Sequence, residues 1–368
     1  MKFSCNRDDI LKEISIAQEI IESRNALSIL SNVSLEASDN QLTIKATNLK
    51  IYFETTIPVE VHDPGETTTI CERLASILRT LPEGDIEFLE LGDDHFVIVP
   101  KFKKIDFRLK TIPAEKYPEV PATNEQAFFQ ISQNDFTEMI TQTIFAVSDD
   151  QTRYFMNGVA FEKDGNAIVM VSTDGKRLAY IKKEFDETIP DFDQIIIPQK
   201  ILGLIKKQAS GEGSISIAIT EKNIFMKFDN QRLSSSLIDG PFPKYHRVIP
   251  ESQEHEIRIS RTELSEALRR VSLMVEKSKR IYMEISNNVL MLKSDVSDIG
   301  TAQEEIICTY DGPEMIIALN FVYLIDPLKV IQSDEVSIQF TEATKAISIN
   351  AIPEKEFFHI IMPMNMNE

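Results

Sequence analysis

The sequence predicts an antiparallel α+β protein built from three copies of one unit, each a sheet carrying two helices. Two observations carry this. A helix-start phrase is written three times: "SCNRDDILKEI" (4–14), "QISQNDFTEMI" (130–140) and "RISRTELSEAL" (258–268). A second set of apolar helices, "TICERLASILRTL" (69–81), "IIPQKILGLIKKQ" (196–208) and "IALNFVYLIDPL" (317–328), recurs at nearly the same interval.

In the first set, Asn6, Ser132 and Ser260 each stand three positions before an acid: Asp9, Asp135 and Glu263. A side-chain oxygen there accepts from the orphan amides of the first turn, and the acid favours the positive helix end. The apolar residues that follow, Ile10, Phe136 and Leu264, are spaced by 126 and 128 residues. Leu74, Ile201 and Val322 in the second set are spaced by 127 and 121. One capped amphipathic helix is common. Six kept in order at the length of an ordinary domain are a repeat.

Between the helices the pattern is strand. "SISIAI" (214–219) and "KAISINAI" (345–352) alternate, while "AFEKDGNAIVMV" (160–171) reads as a hairpin turning at Asp164-Gly165 and "ASDNQLTI" (37–44) as another. The exits "KYPEVP" (116–121) and "KYHRVIP" (244–250) also rhyme. Proline and polar residues at 118–127 and 250–256 mark linkers, dividing the chain into 1–122, 123–251 and 252–368.

With 368 residues, 42% of them hydrophobic, the chain can bury two or three cores. The N-terminus lacks an apolar signal core, and no run approaches the ~18 apolar residues of a membrane span, so a cytoplasmic protein is expected. Three cysteines, far apart, fit buried thiols in a reducing compartment better than disulfides or a zinc site. No Walker or Gly-x-Gly-x-x-Gly loop, Gly-x-Ser-x-Gly elbow or paired-histidine motif occurs; "SGEGS" (210–214) reads as a turn. No cofactor, metal or catalytic residue is expected.

The net charge of −19 excludes a generally sticky nucleic-acid binder. Its distribution is uneven. The six expected helices, 7–22, 72–80, 133–146, 199–208, 261–275 and 320–332, together carry no net charge, so strands and loops hold the whole excess. Segment 199–208 has Lys200, Lys206 and Lys207 and no acid. This predicts helices that share a less acidic surface.

The triple unit, joined to "STDGKRLAY" (172–180), "DGPFPKYHRVIP" (239–250) and a terminal "IIMPM" (360–364), resembles the bacterial DNA polymerase III beta subunit family, the sliding clamps. The resemblance runs from the first residue to the last few. It implies a head-to-tail homodimeric ring, helices lining a hole around double-stranded DNA and sheets outside, without catalysis or base readout. Implied partners are the polymerase III alpha subunit, the clamp loader, and other polymerases and repair proteins that dock short peptides.

The resemblance carries DNA contact to Arg24, Arg73, Lys200 and Arg247 and to the pair Tyr154 and Phe155; for Phe155 a core position competes. It places the peptide cleft at Met156, Thr173, Gly175, Lys176, Arg177, Leu178, Pro243, Val248, Ile361, Met362, Pro363 and Met364. Ordinary core packing competes for Val248 and Ile361. Phe107 and Leu109 would meet Leu273 and Met274 of a second copy. Three features depart from the family pattern: Lys176 where many relatives have histidine, a 24–30 segment without prolines, and a tail continuing through 365–368. Two other functions stay open: an enzyme with an acidic inter-domain cleft, and a three-domain protein-binding scaffold that never touches DNA.

Overall fold

The structure, a computed structural model, describes residues 1–21, 28–92, 94–121 and 123–366. All strand pairs are antiparallel, and the six α-helices among the described residues fall where the repeat places them. They are α1 (Arg7–Ile20), α2 (Cys71–Thr80), α3 (Gln133–Thr143), α4 (Gln199–Gln208), α5 (Arg261–Val271) and α6 (Phe321–Val330). Each is entered directly from a strand. Asn6 Oδ1 accepts from the Asp8 amide at 2.9 Å and Ser260 Oγ from the Glu263 amide at 3.4 Å, as the helix-start phrase requires. Asp135 instead directs its carboxylate to Lys183 Nζ, 2.7 Å away.

The chain divides into two compact bodies, residues 1–133 with 209–237 and residues 134–208 with 238–368. Compactness therefore follows the sheets and not the sequence repeat, because strands from successive repeats pair edge to edge. In the first body, Gln231–Ser236 pairs with Ile51–Pro58 and makes one 13-stranded sheet out of strands from the first two repeats. In the second, Arg177–Glu184 pairs with Phe357–Ile361 and makes an eight-stranded sheet from the last two. The second body also holds a four-stranded sheet, ordered Gln303–Ile307, Val289–Ser294, Arg280–Ser286, Met315–Asn320.

Helix faces match the apolar spacing. α1 buries Ile10, Ile14, Ala17 and Ile20, and α2 buries Cys71, Leu74, Ala75 and Leu78. Each large side chain so removed from water stabilises the fold by roughly 1.5–3 kcal/mol. In the second body α5 buries Leu264, Ala267, Leu268 and Val271. The 37–44 hairpin turns on Asp39 and Asn40, both at positive φ. The 160–171 hairpin turns one residue later than expected, on Gly165 and Asn166, since Asp164 already pairs with Ala167.

One buried carboxylate stands out in the first body. Glu13 on α1 is almost wholly enclosed, and burial raises its pKa despite hydrogen bonds from Thr55 and Asn230. Lys12 Nζ lies 3.9 Å from Glu13 Oε1. Glu13 Oε2 and Gln231 Oε1 are both buried acceptors without a hydrogen-bond partner.

Candidate partner-peptide cleft and nucleic-acid face

The expected cleft residues belong to the second body, and their geometry starts at the turn between strands Ala167–Thr173 and Arg177–Glu184. Asp174 Oδ1 accepts from the amides of Lys176 and Arg177 at 2.9 and 3.0 Å, and Thr173 Oγ1 donates to the Arg177 carbonyl. Gly175 sits at φ +88, and a Cβ there would come within 2.9 Å of Arg153 Nη1. The left-handed backbone is what favours glycine, since the Arg153 guanidinium is the far end of a flexible side chain and could swing aside.

Arg177 is spent internally. Nε reaches Asp174 Oδ2 at 3.1 Å, Nη1 reaches Asp326 Oδ2 at 2.7 Å and Nη2 donates to the Phe145 carbonyl at 2.6 Å. Its guanidinium also lies 4.6 Å over the Tyr323 ring. The "TDGKRL" element would suggest a cation offered to a ligand. Here it bridges two neighbouring carboxylates, Asp174 and Asp326, and braces the turn.

The chain's last segment is fixed beside this turn. Strand Phe357–Ile361 pairs with residues Arg177–Ile181, and beyond it the Met362 amide donates to the Lys176 carbonyl and the Met364 amide to the Ala318 carbonyl. Arg280 Nη1 donates to the Asn365 carbonyl at 3.0 Å. A cavity of about 420 Å³ opens here, walled by Lys176, Arg280, Asn320, Tyr323 and Met362–Asn365. Arg280, Asn320 and Tyr323 were not foreseeable from sequence, since nothing local distinguishes residues that only the fold brings to the tail.

On the other side of the turn Leu178 is buried with Ala160, Val171, Phe242, Tyr245 and Ile360, and Phe155 packs half-buried against that cluster. Met156 and Thr173 are buried, Pro243 is half-buried, and Ile361 is a core residue at 1% exposure. Val248 is 47% exposed, so core packing does not account for it; it ends the short 3-10 turn Tyr245–Val248 with its side chain outward. Segments 151–156, 173–178, 242–248 and 361–364 thus surround one region of the second body.

Of the expected DNA contacts, Arg73 is exposed on α2 in the first body; Lys200 and Arg247 are exposed in the second. Tyr154 is 52% exposed and packs edge-on against Phe155 beside Gly240. Arg24 and most of the 24–30 segment lie outside the described residues.

The expected seam residues also differ from core. Phe107 and Leu109 are half-buried on a strand whose pairing with Gly65–Ile70 involves only Thr111 and Ile112. In the second body Leu273 is 75% exposed, and Met274 lies against Gly300. Three more apolar residues of this region are open to solvent: Val296, Ile299 and Ile307, the last 78% exposed on the edge strand Gln303–Ile307. The doubled isoleucine 306–307 was the available signal, because only one of two adjacent strand residues can face inward.

Beneath the tail strand lies a buried histidine. Gln142 Nε2 donates to the Val330 carbonyl at 3.1 Å, which leaves Gln142 Oε1 to accept from His359 Nε2 at 3.2 Å. His359 is therefore the neutral Nε2–H tautomer, and burial holds its pKa down to about 3. The thiols of Cys5 and Cys71 are pushed up to about 12 by burial, far from a reactive thiolate. Among the described residues no three His, Cys, Asp or Glu side chains group as metal ligands, and no helix is long and apolar enough to cross a membrane.

Antiparallel sheets with two strand-fed helices per repeat, three times over, define the DNA-clamp class of fold. Comparison with known proteins agrees. The N-terminal, central and C-terminal domain models of the DNA polymerase III beta subunit match residues 1–121, 130–244 and 246–365. The beta sliding clamp of Treponema pallidum is 45% identical over 99% of both chains, and that of Pseudomonas aeruginosa 28% over the whole of both. Crystal structures of the sliding clamps from Pseudomonas aeruginosa, bound to griselimycin, and Bacillus subtilis superpose with TM-scores of 0.94 and 0.93 at 27% and 26% identity. Each covers at least 99% of its own length and all of this chain. The chain belongs to the DNA polymerase III beta subunit family, the beta sliding clamps.

Proposed function

We propose that two copies of this chain close head to tail around duplex DNA in the cytoplasm and tether the replicative polymerase, the clamp loader and repair proteins by short peptides. The repeats would be 1–122, 123–251 and 252–368. Phe107 and Leu109 of one copy would meet Leu273 and Met274 of the next, joined by the exposed Val296, Ile299 and Ile307. Arg24, Arg73, Lys200 and Arg247 would hold phosphate loosely, with Tyr154 and Phe155 alongside, so that the ring slides without reading bases.

One observation supports the peptide site most strongly. A terminal segment, which ordinarily frays, is held by three backbone-directed hydrogen bonds beside an open cavity. Met156, Met362 and Met364 supply adaptable thioethers, suited to clients with differing apolar anchors. The test is to delete residues 362–368 and titrate a polymerase tail peptide, with sedimentation in parallel. The reading expects loss of peptide binding from a dimer that persists; parental affinity in the truncated dimer contradicts it. The net charge of −19 favours the other reading, a scaffold that never touches DNA, and retention on circular DNA separates the two.

A further inference from the structure

The joint between the first two repeats lies inside the first body and is built like the turn at Gly175. Asn48 Oδ1 accepts from the amides of Lys50 and Ile51 at 3.1 and 2.8 Å, and Leu49 sits at φ +72. Asp174 and Gly175, 126 residues later, repeat this for Lys176 and Arg177. The equivalence continues along the strands. Tyr52 stands opposite Ser234 as Leu178 stands opposite Ile360, each again 126 residues on. In the rhyming phrases "KYPEVP" and "KYHRVIP", Val120 takes the place of Val248.

At the later joint Leu178 and Ile360 fill the position and are buried with Phe242 and Tyr245. At the earlier joint a serine stands there, and it pairs with Phe225 on its other side. Directly opposed residues on paired strands share one face of a sheet. Tyr52, Ser234 and Phe225 therefore form a row of ring, hydroxyl and ring, and Glu54, Arg232 and Lys227 form the next row on that face. Linker residues Val120, Pro121, Thr123 and Phe128 complete the walls of a cavity of about 250 Å³. Two residues of its wall hold buried hydroxyls without a hydrogen-bond partner: Thr123, and Ser234 at 3% exposure. An unpaired buried hydroxyl destabilises the fold, so it marks a place where a partner is missing. The charged row is satisfied. Arg232 lies 3.8 Å from Glu54, while Lys227 pairs with Glu125 and sits 4.1 Å over the Phe128 ring, which holds that wall in place.

We infer that this cavity is a second binding site, and that it takes one neutral aromatic ring bearing a hydroxyl, a phenol such as the tyrosine side chain. Its volume lies below the roughly 300–1,000 Å³ of drug-sized ligand sites, which suits a single ring. Tyr52, Phe128 and Phe225 supply aromatic walls for that ring. The Ser234 and Thr123 hydroxyls can each donate or accept, and so can meet a phenolic oxygen. Each cation at the mouth already has its carboxylate, so nothing there favours a charged ligand. Ring burial gives affinity and the hydroxyl contact gives choice. A phenol is preferred to the same ring without its hydroxyl by roughly five- to tenfold. This site belongs to the other body from the peptide cleft and does not depend on the function proposed above.

The experiment uses the full-length protein and ligand-observed NMR titration of p-cresol and toluene. Acetyl-Gly-Tyr-Gly-amide and its phenylalanine counterpart carry the same two rings on a peptide. Each is titrated into the parent, Ser234→Ala and Ser234→Ile, with thermal unfolding as the check on folding. Ser234→Ile places at the earlier joint the side chain that fills the later one. p-Cresol is expected to bind the parent with a Kd on the order of 1 mM, as a single-ring ligand does. It should bind roughly five- to tenfold tighter than toluene. The preference disappears in Ser234→Ala, and both rings are excluded by Ser234→Ile, while a polymerase tail peptide binds all three proteins alike. A tyrosyl peptide that binds at least as tightly as p-cresol identifies a partner's tyrosine as the occupant. Binding of p-cresol with both peptides excluded identifies a free phenol. No binding to the parent, equal binding of rings with and without the hydroxyl, or a preference that survives Ser234→Ala overturns the inference and leaves the C-terminal cleft untouched.

Discussion

Two regions of the C-terminal repeat handle apolar side chains in opposite ways. At the tail, Met362, Pro363 and Met364 sit on a backbone fixed by hydrogen bonds to Lys176 and Ala318, and only Met362 is open. Around Leu273 the apolar groups are left bare: Leu273, Val296 and Ile307 are each at least 75% exposed, beside an edge strand with one neighbour. The first arrangement is soluble alone, and so can take and release partners. The second is an aggregation hazard unless something covers it nearly all the time. A surface that can be visited and a surface that needs lasting cover thus differ in what the isolated chain hides.

The sharpest way to break this contrast is to remove the bare side chains. Leu273→Ala with Met274→Ala should yield a folded monomer by light scattering, since truncating a fully covered large side chain loses about 2–5 kcal/mol. A double variant that stays dimeric at nanomolar concentration would show that the seam lies elsewhere.

A smaller effect is expected at the cleft's brace. Arg177→Met leaves Asp174 and Asp326 facing each other without their shared cation. Their side chains are only about one-sixth exposed. Chemical denaturation should show a loss of roughly 2–3 kcal/mol, below the 3–5 of a wholly buried pair. Peptide affinity should fall while the dimer remains. Unchanged stability would mean the network is ornamental.

How much of this contrast could be read from residues alone differs by region. The helix-start phrases and strand alternation placed all six helices to within a few residues, because capping and amphipathic spacing are local. The tail's chemistry was visible in Met362-Pro363-Met364. The cavity wall was not: strand pairing joins Arg280 to Asn320 and the helix that follows carries Tyr323, all far in sequence from Lys176. Arg177 stands among the expected cleft residues, and sequence cannot show that two aspartates already claim its guanidinium. The division into two bodies was equally hidden, since edge-to-edge strand pairing leaves no mark in a repeat.

The smallest effect concerns the first body. The folded-state pKa of Glu13 is raised, so its neutral form is favoured on folding. The stabilisation is complete below the unfolded value, near 4.5, and is lost as pH rises through the folded value. Glu13→Gln, which removes the ionisable group, should stabilise the protein by about 1 kcal/mol at pH 8, by thermal unfolding, with the gain shrinking toward pH 4. His359 acts in the opposite sense. Its lowered pKa means stability falls as pH drops from about 6.5 toward about 3. A Glu13→Gln variant less stable than the parent at pH 8 would contradict the assignment.

The central claim is that two copies of this chain encircle duplex DNA. The most direct measurement loads the protein onto nicked circular DNA with a clamp loader, isolates the complex by gel filtration, and then cuts the circle once. A ring held by topology stays on the closed circle through moderate salt and slides off within minutes of linearisation. Retention should fall when Arg73, Lys200 and Arg247 are replaced by glutamate, because the loose phosphate contacts go. Protein that leaves circular and linear DNA at the same rate, or never joins either, contradicts the account.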